Sequence, residues 1–404
     1  MTSPAVDLQD LAQLRGQDAL GLPFLTDVLD SLVRTRSVNP GIYEEAMAAR
    51  VAEWLEPTGA EVSFVDFEPG RRSVGAVLKG SGDGPTLVLN GHMDTVPIDD
   101  ESLWRTSPFE PVVADGYMWG RGACDMKAGL TVQIGVAHLL ARHRDRLRGT
   151  LVLHFAAGEE CGEPGTLSLL QHGFVGDYGI VTEPTQLRVA TAQRGLAFYR
   201  IRIRGRSIHA SRAHLGLNPV TRLRPVLEVL ERYDADVRAK PHPLLPGGSC
   251  TPTVVRAGVK ENALADYCDL TLDRRLLPGE TVEGELEELR RRLAAIREQD
   301  AEFEAEVSVI PHPFEPAEID PGSGFAARVL DVVAAVTGER GEVWGTPYSS
   351  DVRNLVNDAG IEAVTFGPGN VEECHCPNER VSLDDLANAA LATAKVAVDL
   401  LVEA

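Results

Sequence analysis

The sequence has little cysteine, no long apolar run and no excess of basic residues. Its six cysteines (Cys124, Cys161, Cys250, Cys268, Cys374 and Cys376) form no CxxC pair in 404 residues, so a disulfide framework is not expected. They read as reduced and mostly buried. No stretch approaches the ~20 apolar residues that a membrane helix needs. The start, MTSPAVDLQDLAQLRGQ, lacks both a basic n-region and an apolar h-region. A soluble, cytoplasmic protein without a membrane partner is the expectation. Lys plus Arg number 39 against 60 Asp plus Glu, a formal charge of −21, which repels phosphate backbones and argues against a nucleic-acid partner. Internal repeats, low-complexity runs and long like-charge blocks are also missing.

What is present is ordinary globular composition, with 44% hydrophobic and 25% charged residues in a chain long enough for two or three domains. From about residue 75 to 184, short apolar strands (GAVLKG, TLVLNGH, LVLHFAAGEE, GIVTEP) alternate with helical patterns such as DMKAGLTVQIGVAHLLARH. Near-continuous apolar strands joined by helices predict an α/β fold with a mostly parallel sheet sandwiched by helices. Between 192 and 312 the order becomes strand, helix, strand, strand, helix, strand, which predicts an inserted ferredoxin-like α+β domain. The α/β pattern then resumes. The expected organisation is a catalytic domain in two segments, 1–191 and 313–404, around an insertion at 192–312.

Three of the apolar strands run straight into histidine or acidic residues. TLVLNGHMDTVP reaches His92 and Asp94, LVLHFAAGEE reaches Glu159 and Glu160, and GIVTEP reaches Glu183. Ligands of open α/β sheets sit at the carboxyl ends of the strands, so parallel strands would bring these groups to one rim. The loop WGRGACDMKAG adds Asp125, and GPGNVEECHCPNE adds His375. Taken singly, Asp125 reads equally well as a helix cap, Glu159 and Glu160 as solvated surface charges, and each histidine as structural. Five coincidences at one rim favour a site.

Zinc-type ions take imidazole nitrogen and carboxylate oxygen, and catalytic sites keep a position open for water. His92, Asp125, Glu160, Glu183 and His375 divide between two ions if one carboxylate bridges them. Glu159 is then free to act as general base. Asp94, two residues past His92, could orient that imidazole by a hydrogen bond. A Cys/His zinc site around Cys374, His375 and Cys376 competes, but no second cysteine pair completes it.

The strings GHMDTVP, GRGACDMKAG, GEE, TEP, RGRSIHAS, LDRRLLPGE and HCPNE resemble those of the dizinc peptidases and amidases that include aminoacylase, acetylornithine deacetylase, succinyl-diaminopimelate desuccinylase and the glutamate carboxypeptidases. The resemblance implies a dizinc exopeptidase-like fold. It assigns His92 and Glu183 to one zinc, Glu160 and His375 to the other, Asp125 to both, and the role of base to Glu159. It further implies that the inserted domain makes a homodimer, that His209 reaches a neighbouring subunit's site to stabilise the oxyanion, and that Arg275 and Asn262 hold the substrate. No proline follows Asn262 closely, and GTPYSSD departs from the commoner form of the late glycine-threonine loop. The expected activity is deacylation of an N-acyl amino acid or related small amide with two Zn(2+), or Co(2+) or Mn(2+) in their place. A carboxydipeptidase is the alternative, and a non-catalytic metal- or amino-acid-binding protein a further one.

Overall fold

The computed structural model describes residues 7–403. The chain divides into two compact units. The smaller comprises Ala192–Glu318 and Gly345–Ser349, and the remaining residues form the larger. These limits differ from the sequence-based insertion at 192–312. The short stretch Gly345–Ser349 joins the smaller unit because Arg194 donates to Pro347 O through Nε (3.0 Å) and Nη2 (2.8 Å), while Ser349 Oγ donates to Arg194 O at 2.7 Å.

In the larger unit the central strands Thr150–Ala156, Thr86–His92, Tyr178–Val181 and Glu362–Thr365 lie side by side in that order and are parallel. Their apolar residues alternate between two cores. Leu87, Leu89, Leu151, Leu153 and Ile180 pack with the helices Leu22–Arg34, Ala128–Arg142 and Leu383–Leu401, whereas Val88, Val152 and Val181 pack with Leu169, Leu170 and Leu355 on the other face. That two-sided burial is why these strands read as continuous apolar runs rather than alternating ones. Helix Ala128–Arg142 is itself buried on almost every side.

The sheet is mixed rather than mostly parallel. Strand Arg71–Lys79, read from GAVLKG as a parallel member, runs antiparallel to Thr150–Ala156, because a tight turn at Pro69–Gly70 makes it the second half of a hairpin with Glu61–Glu68. A small three-stranded sheet (Val112–Ala114, Tyr117–Trp119, Arg380–Ser382) had no sequence signal strong enough to read, each strand being three residues long.

The smaller unit is a four-stranded antiparallel sheet in the order Ser249–Ala257, Tyr267–Leu276, Gly195–Arg204, Ala305–Val309, with helices Pro219–Arg238 and Val282–Ala294. This is the ferredoxin-like arrangement. Its alternation is visible in FYRIRIR: Tyr199, Ile201 and Ile203 are fully buried beneath the helices, while Arg202 on the other face pairs across the strand with Asp269 at 2.7 and 2.6 Å. No helix of the described residues is long and apolar enough to cross a membrane.

Candidate dimetal site

The parallel register puts the ends of three strands at one level. His92 lies opposite Ala156, and Asn90 opposite Val181. The next residues of each strand therefore emerge at the same rim: Asp94, the turn Gly158–Glu160, and Glu183. Gly158 has φ 85°, a left-handed conformation that costs glycine little, and it turns the chain at once so that Glu159 and Glu160 face back toward His92.

Asp125 joins them from the loop before helix Ala128–Arg142. It does not cap that helix: the position before Ala128 is Lys127, and Asp125 has an extended backbone. Its two carboxylate oxygens are divided instead between the two imidazoles, Oδ1 at 3.1 Å from His92 Nε2 and Oδ2 at 3.1 Å from His375 Nε2. Glu183 Oε1 stands 3.6 Å from His92 Nε2, and Glu160 Oε2 stands 3.1 Å from His375 Nε2. His375 itself has φ 56°, a conformation rare outside glycine and concentrated at functional loops. Glu159, 8% exposed, lies 4.0 Å from His92 Nε2. Proximity alone would group His92, Glu159 and Glu183 as readily as His92, Asp125 and Glu160. The predicted division, with Glu159 outside the ligand set, is therefore chemical rather than purely geometric.

Electrostatics explain what this cluster calls for. Burial lifts the Glu159 and Glu183 carboxyls well above their ordinary range. Burial would lower His92, but Glu183, Asp125 and Asp94 outweigh it and raise it well above its usual value. The hydrogen bonds to Asp125 and Glu160 push His375 up to about 11. In Asp125 the effect of burial is outweighed by His375 and His92, and its carboxyl is held low. The imidazoles thus hold protons where four carboxylates converge, and divalent cations at the same donors would release them. Two imidazoles and three carboxylates suit two zinc-type ions with one shared oxygen ligand.

Asp94 meets His92 Nδ1 from two sides. Its carboxylate is 3.6 Å from His92 Nδ1, while its backbone carbonyl is at 3.0 Å and takes the imidazole hydrogen bond. The carboxylate also accepts from the backbone N–H groups of Gly158 (3.1 Å), Glu159 (3.2 Å) and Glu160 (3.2 Å). It holds the turn that carries the base.

Two acidic residues that the sequence reading did not single out belong here. Glu379, fully buried, accepts from Cys124 N (2.9 Å), Asp125 N (3.0 Å) and Arg121 Nη1 (2.6 Å). In the sequence it closes the string HCPNE, which begins at His375. Asp351, 3% exposed, accepts from Thr166 Oγ1 at 2.6 Å. All six cysteines are free, and no metal-competent group among the described residues includes one, so the Cys/His alternative gains nothing.

His209, Asn262 and Arg275 belong to the smaller unit. Asn262 O accepts from Ala210 N at 2.8 Å, which keeps Asn262 and His209 together. Arg275 lies toward the far end of strand Tyr267–Leu276, eight residues from its start, or about 26 Å at 3.3 Å per residue. It points away from the buried Arg274, is 28% exposed, and holds Asp273 through a two-pronged pair at 2.9 and 3.1 Å.

Residues 88–399 match the model of peptidase family M20/M25/M40. An N-formyl-4-amino-5-aminomethyl-2-methylpyrimidine deformylase from Bacillus subtilis is 29% identical over 376 residues, covering 86% of this chain and 87% of its own. An acetylornithine deacetylase from Vibrio atlanticus is 26% identical and covers 90% and 95%. A dinuclear metal-binding peptidase from Bacillus subtilis has a similar solved structure, with a TM-score of 0.72, 20% identity, and coverage of 95% and 99%.

Proposed function

Because the chain belongs to peptidase family M20/M25/M40, we propose that it is a two-metal amide hydrolase that removes the acyl group from an N-acyl amino acid or a related small N-acylated amine. The full-length relatives named for removing formyl and acetyl groups support deacylation over dipeptide cleavage. One observation carries the chemistry: a buried Glu159, 4.0 Å from His92 Nε2, beside two imidazoles that share one carboxylate.

His92, Asp125 and Glu183 would hold one ion, and Asp125, Glu160 and His375 the other. When bound, two divalent cations polarise the amide carbonyl and make water a better nucleophile at neutral pH. Glu159 takes the proton from the attacking water and returns it to the leaving nitrogen. Asp94 keeps Glu159 in reach by holding its backbone N–H. Arg275 holds the substrate from its own chain, and the partner subunit's His209 and Asn262 reach the same site together, Asn262 holding the substrate and His209 donating to the oxyanion. Arg275 stands near one end of strand Tyr267–Leu276, whereas His209 bridges to Ala263, before the other end of that strand, which supports assigning them to different sites of a homodimer. The zinc form is proposed as the working enzyme, with cobalt or manganese as substitutes. The set of free cysteines agrees with a reducing, cytoplasmic setting.

The test is a screen of N-formyl, N-acetyl, N-succinyl and N-carbamoyl amino acids and of dipeptides on zinc-, cobalt- and manganese-loaded protein, read as free amine. Acyl substrates should be cleaved faster. Preference for dipeptides would shift the reading to a carboxydipeptidase, and no release from protein holding two zinc ions would leave a metal-binding protein without catalysis.

A further inference from the structure

The stretch Ser37–Asn39 runs beside Met93–Thr95. Asn39 N donates to Thr95 O (2.9 Å), Thr95 N to Ser37 O (3.0 Å) and Ser37 Oγ to Met93 O (2.6 Å). This pairing sets Asn39 against Asp94, and the two residues are 2% and 0% exposed. Of the four donors to the Asp94 carboxylate, three are the N–H groups of Gly158, Glu159 and Glu160, and the fourth is Asn39 Nδ2 at 2.9 Å. The same Nδ2 lies 3.2 Å from Glu163 Oε2. Glu163 N donates to Gly158 O at 2.8 Å, closing the turn, and its carboxylate is held by Arg71, which also grips the fully buried Glu44 at 3.0 Å through both Nε and Nη2.

The Asn39 amide is thus the donor shared by two carboxylates, that of Asp94, which accepts from the N–H groups of Gly158–Glu160, and that of Glu163, whose own backbone N–H closes the turn. An unbridged buried carboxylate loses a charge-assisted hydrogen bond and regains repulsion from its neighbour. Asn39, Glu44 and Arg71 all precede the stretch 88–399 that matches the family model.

We infer that Asn39 is a positioning residue for the reaction: by donating to Asp94 and Glu163 together it fixes the turn that carries Glu159 and Glu160, and so sets where the base stands. General-base transfer needs heavy atoms within about 2.6–3.2 Å, or one intervening water. A shift of about 1 Å costs on the order of 10²-fold in rate. A displaced base slows proton transfer in the chemical step, so the loss belongs in kcat. The inference rests on the reading of Glu159 as base.

The experiment compares wild type, Asn39→Ala, Asn39→Ser and Glu159→Gln, all zinc-loaded, by amide hydrogen exchange and by kcat and KM on the best substrate of the acyl screen. In Asn39→Ala, exchange at Gly158–Glu160 should quicken at least ~10-fold while strand Thr150–Ala156 keeps its protection, and kcat should fall at least ~10-fold with KM within about twofold. Unchanged exchange at those amides, or near-normal kcat, would overturn the inference. If Asn39→Ala does not fold, Asn39→Ser, whose shorter side chain does not span both carboxylates, gives the same two readings. Glu159→Gln separates the two claims. An active Glu159→Gln removes the base reading, whereas the exchange data on the Asn39 variants still decide whether Asn39 holds the turn.

Discussion

Glu379 accepts the backbone N–H of Asp125 at 3.0 Å, so the loop that presents His375 also fixes the loop that presents the carboxylate shared by both imidazoles. Glu379 does this while neutralising Arg121, which is 4% exposed.

Replacing Glu379 by Ala should therefore act twice. Arg121 loses its partner in the interior, a change that costs roughly 3–5 kcal/mol. Asp125 loses the acceptor that orients it, so zinc affinity should fall as well. Glu379→Gln keeps an acceptor for Asp125 N and should recover most of the zinc affinity but less of the stability. Urea unfolding and competition with a zinc-binding dye measure the two effects, and equal zinc affinity in Ala, Gln and wild type would remove the orienting role.

Arg275 is the predicted grip on a substrate carboxylate, and its guanidinium already meets Asp273 along a two-pronged edge. Lysine is a point charge without that planar geometry, so Arg275→Lys should not be conservative. We expect the loss in kcat/KM to be larger for substrates with a free α-carboxylate than for the corresponding amides. Equal losses on both would reject the contact.

The composite site is tested by mixing inactive subunits. Glu159→Gln and His209→Ala should each be nearly inactive as pure dimers. Unfolding and reassembling an equal mixture makes about half the dimers mixed, and each mixed dimer has one site with both lesions and one with neither, so activity should return to roughly a quarter of wild type. If His209 serves its own chain, subunit exchange restores nothing.

His154 supplies a pH dependence. It is fully buried between Asn90 and the carbonyl of Phe174, and burial pushes its pKa down to about 4. The unfolded chain binds a proton here below about 6.5, and the folded protein does not until about 4. The stability from this group is complete above 6.5, falls as the pH drops through that window, and is gone below 4, a loss of roughly 3 kcal/mol. Urea unfolding between pH 7 and 4 should show the slope, and His154→Gln should flatten it. A slope unchanged in the variant would contradict the assignment.

The strand ends were legible because an apolar run that stops at a histidine or carboxylate breaks the usual turn composition, and a parallel register then aligns the ends. His92, Glu159, Glu160 and Glu183 emerged that way. Asp125 could have been a helix cap, since Asp is favoured there, and only the backbone shows that the helix begins later. Sequence places Asp94 beside His92 but does not show that its backbone carbonyl stands nearer the imidazole than its carboxylate does. Asn39 and Glu379 were illegible for another reason. Asn39 acts on a residue 55 positions away and Glu379 on one 254 positions away, and nothing in SVNPG or PNER marks the partner. The direction of Arg71–Lys79 was missed because a buried strand has the same composition in either orientation.

The central claim is a two-ion amide hydrolase whose base is Glu159, and metal titration of the stripped protein tests it most directly. Zinc added to metal-free wild type should bind at two ions per chain and restore amine release from an N-acyl substrate. Glu159→Gln should bind the same two ions with turnover reduced at least ~10²-fold. One ion per chain at saturation, loss of zinc from Glu159→Gln, or near-normal turnover in that variant would contradict the account.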